Sequence, residues 1–190
     1  MAYLMHIGYL LACIVLSNFQ LANGSIKVRL LAVGTKMETN YYGKFVNVSC
    51  TFRPNLSLAN QTVDCDIEIL RDIKDMKLTA TYYAIALNKL VQTVLLKRSI
   101  DMCFFIQNPR SDRLVNSVYN YINQRSNFPS KCPLFAGNYF IRGIRPSDVP
   151  IPSFLPESEF ILEEVYRSET RHETLLEFRF YGKLVRFIET

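Results

Sequence analysis

From Phe45 onward the chain alternates apolar and polar side chains over short stretches, the two-residue period of a half-buried strand. In Phe45 to Phe52, Val46, Val48, Cys50 and Phe52 fall on one face, and Asn47, Ser49 and Thr51 on the other. Val63, Cys65, Ile67 and Ile69 alternate with Asp64, Asp66 and Glu68. Met76, Leu78, Ala80 and Tyr82 alternate with Lys77, Thr79 and Thr81. From Val94 to Phe104 the apolar positions are Val94, Leu96, Ile100, Met102 and Phe104, with Arg98 interrupting, which predicts a strand. Phe160 to Val165 predicts another, and Thr174, Leu176, Phe178 and Phe180 against Glu173, Glu177 and Arg179 the last. Strands at this spacing, with turn residues between them, predict an all-β sandwich or barrel.

One segment changes period. Leu114, Val115, Val118, Tyr119 and Ile122 follow helical spacing, with Ser111 or Asp112 placed to cap the helix after Pro109. The expected helix is short and amphipathic, from about Asp112 to Gln124, before Asn127 and Pro129. Pro146, Pro150, Pro152 and Pro156 mark an extended loop before the last two strands.

Ahead of the strands, residues 4–16 are almost unbroken apolar, and the polar, small-residue run SNFQLANGS follows. This is the layout of a secretory signal segment, with cleavage near Ala22 or Gly24. The apolar run is too short for a comfortable membrane anchor, and Ser17, Asn18 and Gln20 interrupt it. The expected organisation is therefore residues 1–24 as signal and 25–190 as a single secreted, extracellular β domain. No later segment is long and apolar enough to span a membrane as a helix.

Cysteine usage agrees with that compartment. Cys13 leaves with the signal, and Cys50, Cys65, Cys103 and Cys132 remain, an even number suited to disulfides. Four cysteines permit three connectivities, which sequence alone does not decide. Sequential pairing, Cys50 with Cys65 and Cys103 with Cys132, closes the shortest loops and is the expectation. Both Cys50 and Cys65 fall on inward faces of consecutive strands, and a second bridge would tie both ends of the helical excursion to the sheet. With no CxxC pair and only His172 remaining as histidine, no metal site is expected. Sequons at Asn23, Asn47, Asn55 and Asn60 point to a glycoprotein; Asn23 lies at the cleavage site, so Asn47, Asn55 and Asn60 are the glycosylation candidates.

Hydrophobic content is 49%, with 11 tyrosines and 13 phenylalanines, so the chain has material for a packed core rather than disorder. The net charge of +5 is dispersed, Lys97-Arg98 being the longest basic run, which argues against nucleic acid as a partner. Catalysis lacks participants. His172 sits in a charged turn, no GxSxG motif accompanies it, and bridged cysteines are not nucleophiles. Glu163 and Glu164 are adjacent, and a strand sends them to opposite faces; an inward one is expected at an edge or mouth. Only 7 glycines are present, with no phosphate-binding loop, and no cofactor is expected.

Order and spacing of several motifs carry a resemblance. Cys50 and Cys65 are followed by Ile100-Asp-Met-Cys-Phe-Phe-Ile-Gln-Asn-Pro109, an amphipathic helix over Leu114 to Asn123, Cys132-Pro133, and PIPSFLPESEF before the penultimate strand. In this the chain resembles a large insect family of secreted proteins known only as a domain of unknown function. That family is itself similar to the myeloid-differentiation-related lipid-recognition (ML) proteins, which include the ganglioside activator. Ser158 stands where the family has a glycine. The resemblance covers roughly Phe45 to Phe187 and implies an immunoglobulin-like β-sandwich that opens between its sheets around a lipid or small hydrophobic molecule. Leu78, Tyr82, Met102, Phe104, Phe178 and Phe180 are then the candidate ligand-binding residues. The implied role is that of a carrier, or of chemosensory, reproductive or immune recognition, with a receptor or other extracellular protein as a second partner. The alternative is an extracellular protein–protein interaction module with a fully packed core and no ligand.

Overall fold

The computed structural model describes residues 27–54, 57–86 and 92–189. The expected signal segment, residues 1–24, with Cys13, and the Asn23 and Asn55 sequons lie outside the described residues. Residues 30–186 form one compact unit, and the core and site described below lie within it. The described residues of the second unit, 27–29 and 187–189, are the outer ends of the first and last strands.

Among the described residues eight strands and two short helices follow one another as β1 (Lys27–Tyr41), β2 (Val46–Phe52), β3 (Val63–Ile69), β4 (Lys77–Ile85), β5 (Gln92–Asp101), α1 (Met102–Gln107), α2 (Arg113–Asn123), β6 (Gly137–Ile144), β7 (Glu159–Ser168) and β8 (Glu173–Glu189). They make two antiparallel sheets, one of five strands in the order β1-β8-β7-β4-β5 and one of three in the order β2-β3-β6.

The small sheet follows its alternation closely. Val46, Val63, Cys65 and Ile69 are buried, while Asn47, Ser49, Thr51, Asp66 and Glu68 are exposed. The β2–β3 register sets Cys50 directly opposite Cys65, and the two are bridged at an S–S distance of 2.05 Å. Gln61, buried in the turn between these strands, bonds its own loop and β1 together. Its Nε2 donates to the Pro54 carbonyl at 2.9 Å and the Gly34 carbonyl at 3.1 Å, while Gly34 N donates to Gln61 Oε1 at 3.0 Å. A buried amide is thereby satisfied by backbone on both sides.

The two sheets face each other. Val46 of β2 and Ile69 of β3 pack with Leu175 of β8 in one apolar cluster, joined by the half-buried Tyr166 of β7. Phe52 of β2 meets Phe180 of β8 edge-on, with ring centroids 5.4 Å apart. Glycine is required at Gly182 because a Cβ there would stand 2.6 Å from the Val33 carbonyl oxygen and 2.8 Å from the Phe160 ring. The opposite, outer face of the large sheet is polar, with Arg179 on Glu163 at 2.8 Å and Lys183 on Glu159 at 3.0 Å.

The helix expected over 112–124 is α2. Asp112 caps it, its carboxylate accepting from Leu114 N at 3.0 Å and Val115 N at 3.1 Å. Cys103 and Cys132 are joined across this excursion, with Cα atoms 5.5 Å apart.

Two expectations are corrected. The strand read over Val94 to Phe104 ends at Asp101, whose side chain accepts from Phe104 N at 3.0 Å and starts α1. The period then changes from two to 3.6, so Met102 and Phe105 turn inward, three residues apart, and Phe104 is left 58% exposed. In β8 the face read from Thr174 and Leu176 is shifted by a bulge opposite Tyr166 and Arg167, and Leu175, only 2% exposed, becomes the buried residue.

Candidate functional site

The inner face of the large sheet is a set of cross-strand rows, because residues directly opposite in an antiparallel pair share a face. One row runs Ile100, Leu78, Tyr166, Leu176 across β5, β4, β7 and β8. The next runs Arg98, Ala80, Glu164, Phe178, and the third Leu96, Tyr82, Leu162, Phe180.

The outer two rows are packed. Leu78 is buried with Met102 and Phe105, against Val115 and Tyr119 of α2. Leu176 and Tyr166 join the inter-sheet cluster of Phe45, Ile69 and Leu175. In the third row Tyr82 is buried with Ala32, Leu155, Phe160 and Leu184, and its ring stacks on Phe160 at 5.3 Å. The Tyr82 hydroxyl makes no hydrogen bond within 3.5 Å, and burial pushes its pKa up to about 12 while nearby Ser158 opposes the shift. Phe180 packs on this cluster and on Phe52.

The middle row differs. Ala80 reaches the cluster beside it, but Glu164 and Phe178 belong to none of the three clusters. Ala80, Glu164 and Phe178 are half-buried, and the row has no fully buried residue to match Leu78 and Tyr82 in the rows beside it. β7 is flanked by β4 on one side and β8 on the other, so its backbone is covered by pairing. Burial raises the pKa of both Glu164 and Tyr166. Beside Glu164 on the same face stands Ala80, whose methyl group fills little space.

Among the described residues Glu164 makes one side-chain hydrogen bond. The Tyr166 hydroxyl donates to Glu164 Oε2 at 2.9 Å. Burial holds the Glu164 carboxyl above the usual carboxylate range, and the Tyr166 bond opposes that shift. The Tyr166 hydroxyl is raised well above its ordinary value by burial first and by the neighbouring Glu164 second. At the outer end of the row, on edge strand β5, Arg98 is exposed and its Nε stands 3.9 Å from Asp112 Oδ2.

The candidate ligand residues are thus divided. Leu78 and Met102 lie at one packed end, and Tyr82 and Phe180 at the other. Phe178 lies between them opposite Glu164, and Phe104 points outward. Glu164 was expected at an edge or mouth and stands instead on the central strand of the sheet. Glu163 points to the outer face, where Arg179 holds it. His172 is exposed in the turn before β8, as the charged sequence around it suggests. Asn47 is exposed on β2, its Nδ2 donating to Glu68 Oε2 at 2.9 Å, and Asn60 is exposed in the turn before β3. A separate depression of about 370 Å³ is lined by Thr35, Ile85, Tyr181 and Lys183 among others, and no residue of the middle row borders it. Among the described residues no helix is long and apolar enough to cross a membrane, and no cluster has the makings of a metal site.

These features define a two-sheeted β protein with apolar clusters toward its ends and a carboxyl in the middle of its inner face. Residues 77–162 match a family described as "Protein of unknown function (DUF1091)". That span holds β4 to β6 and, of the motifs that carry the resemblance, Ile100 to Pro109, the helix, Cys132-Pro133 and PIPSFLPESEF, with Cys50 and Cys65 ahead of it, so the resemblance is borne out. No curated protein matches the chain. Among solved structures it is similar to chicken MD-1 complexed with lipid IVa, at 13% identity and a TM-score of 0.36, covering 83% of this chain and 98% of that one. It is similar also to a Niemann-Pick type C2 protein from the Japanese carpenter ant, at 12% identity and a TM-score of 0.32, covering 80% and 92%. Neither likeness is close enough to carry an argument about ligand or role.

Proposed function

We propose that the chain is a secreted glycoprotein that binds a lipid or small hydrophobic molecule between its two sheets, without catalysis. One observation carries this reading: the middle row of the inner face has no buried residue, and its Glu164 and Phe178 join none of the packed clusters on either side. A fully packed sandwich would have closed over them, since protein interiors leave few voids larger than a water molecule. Apolar burial contributes about 25 cal/mol per Å² removed from water, so one acyl chain in such a space binds without further contacts. The two disulfides and the exposed Asn47 and Asn60 sequons support the secretory route, with residues 1–24 as its signal and 25–190 as the mature domain.

Native mass spectrometry of the protein secreted from insect cells tests the reading. A retained apolar molecule, or uptake of the uncharged probe N-phenyl-1-naphthylamine, is the expected result. Protein that always emerges empty and takes up no probe would favour an interaction module with no ligand.

A further inference from the structure

Glu164 is placed to do more than border the proposed hollow between the sheets. Its Oε2 accepts the Tyr166 hydroxyl at 2.9 Å, whereas Oε1 has no hydrogen-bond partner among the described residues and keeps accessible surface on the inner face of the sheet. Around it stand Ala80 and Phe178 in the same row and Leu162 along the strand, none of which offers a side-chain polar atom. The other titratable group against it is Tyr166; the charged group of its row, Arg98, lies two strands away beside Asp112.

We propose that this free carboxyl oxygen selects the ligand: an uncharged apolar molecule with one terminal hydroxyl, whose head bonds Glu164 and whose chain fills the hollow. The proposal rests on the ligand-binding reading above. Three competing ligand classes fit less well. A plain hydrocarbon displaces water from Oε1 and leaves a polar group unpaired, which costs affinity. An ionised fatty acid brings a second carboxylate into the enclosure, where two like charges oppose each other. An amine needs both charges desolvated. A hydroxyl both donates and accepts, so it satisfies Oε1 whether the carboxyl is protonated or ionised.

The test is displacement of N-phenyl-1-naphthylamine from the secreted protein by decane, 1-decanol, decanoate and decylamine. Decanol should bind about tenfold more tightly than the other three. Glu164→Leu should bring decanol to within about twofold of decane, at a lower melting temperature because the Tyr166 hydroxyl loses its acceptor. Glu164→Gln, nearly isosteric and still a donor and acceptor, should keep the preference for decanol over decane while admitting decanoate. Equal binding of decane and decanol by the wild type would overturn the selectivity and leave the hollow standing. So would tightest binding by decanoate or decylamine, or a decanol advantage that survives Glu164→Leu. If neither the probe nor any of the four compounds binds, the ligand-binding reading itself falls, and the proposal with it.

Discussion

At the end where β2 and β3 meet β8, Phe45, Val46, Ile69, Ile73, Leu134 and Leu175 seal against one another and shut out solvent. Halfway along the same inner face the row of Ala80, Glu164 and Phe178 has no buried residue, and Glu164 and Phe178 join no cluster, although the strands that carry them are paired on both sides. The difference lies in what stands opposite and between, not in strand pairing. At the packed end branched and aromatic side chains from both sheets interdigitate. In the middle the row contains a methyl group, a carboxyl and one ring. On the proposed reading, stability belongs to the packed rows and ligand binding to the middle one.

The largest effect should come from the packed end. Leu175→Ala removes a fully buried side chain and should cost about 2 to 5 kcal/mol, read as a lower urea midpoint with unchanged slope. Probe uptake by the folded variant should be unaltered. A loss no larger than that of a middle-row substitution would break the contrast between the two regions.

A smaller effect should appear in the pH dependence of stability. Glu164 has its folded pKa raised above the ordinary value of 4.5 by burial. Its contribution to stability is therefore fully present below about pH 4.5 and is lost as pH rises through the folded pKa. Glu164→Gln cannot ionise, so its stability relative to wild type should rise as pH climbs from about 4.5 toward neutrality. Parallel melting-temperature curves for the two proteins across this range would show that the carboxyl is not enclosed as described.

Much of this arrangement is legible in the sequence, and the illegible parts share a cause. β2 and β3 are legible because each has one clean apolar face and carries a cysteine at the bridged position. α2 is legible from its spacing and from Asp112, which does cap it. α1 is hidden because Met-Cys-Phe-Phe-Ile is apolar on every face, so periods of two and 3.6 fit alike; Asp101, three residues before the amide it caps, was the available signal. The bulge at Leu175 leaves no mark in β8, since three neighbouring residues there, Thr174 to Leu176, suit burial. β1 and β6 carry alternation too weak to single them out. As for the site, Phe178 is found where the inward pattern of β8 predicts it. Glu164 is not recognisable as central, because the strand order β8-β7-β4 is set by contacts far apart in the chain.

The smallest stability effect, and the most direct test, belongs to Phe178. Phe178→Leu keeps the middle row apolar and changes its shape, so the melting temperature of the empty protein should fall by less than about 1.5 kcal/mol would produce. N-phenyl-1-naphthylamine at about a hundredfold its Kd should stabilise the wild type by about 2.7 kcal/mol, seen as a higher melting temperature. Measuring that ligand-dependent gain for both proteins decides the central claim. The account predicts a clear gain in the wild type and a diminished one in Phe178→Leu. No gain in the wild type, together with a loss in empty Phe178→Leu as large as that of Leu175→Ala, would mean that the middle row is ordinary packed core and holds no ligand.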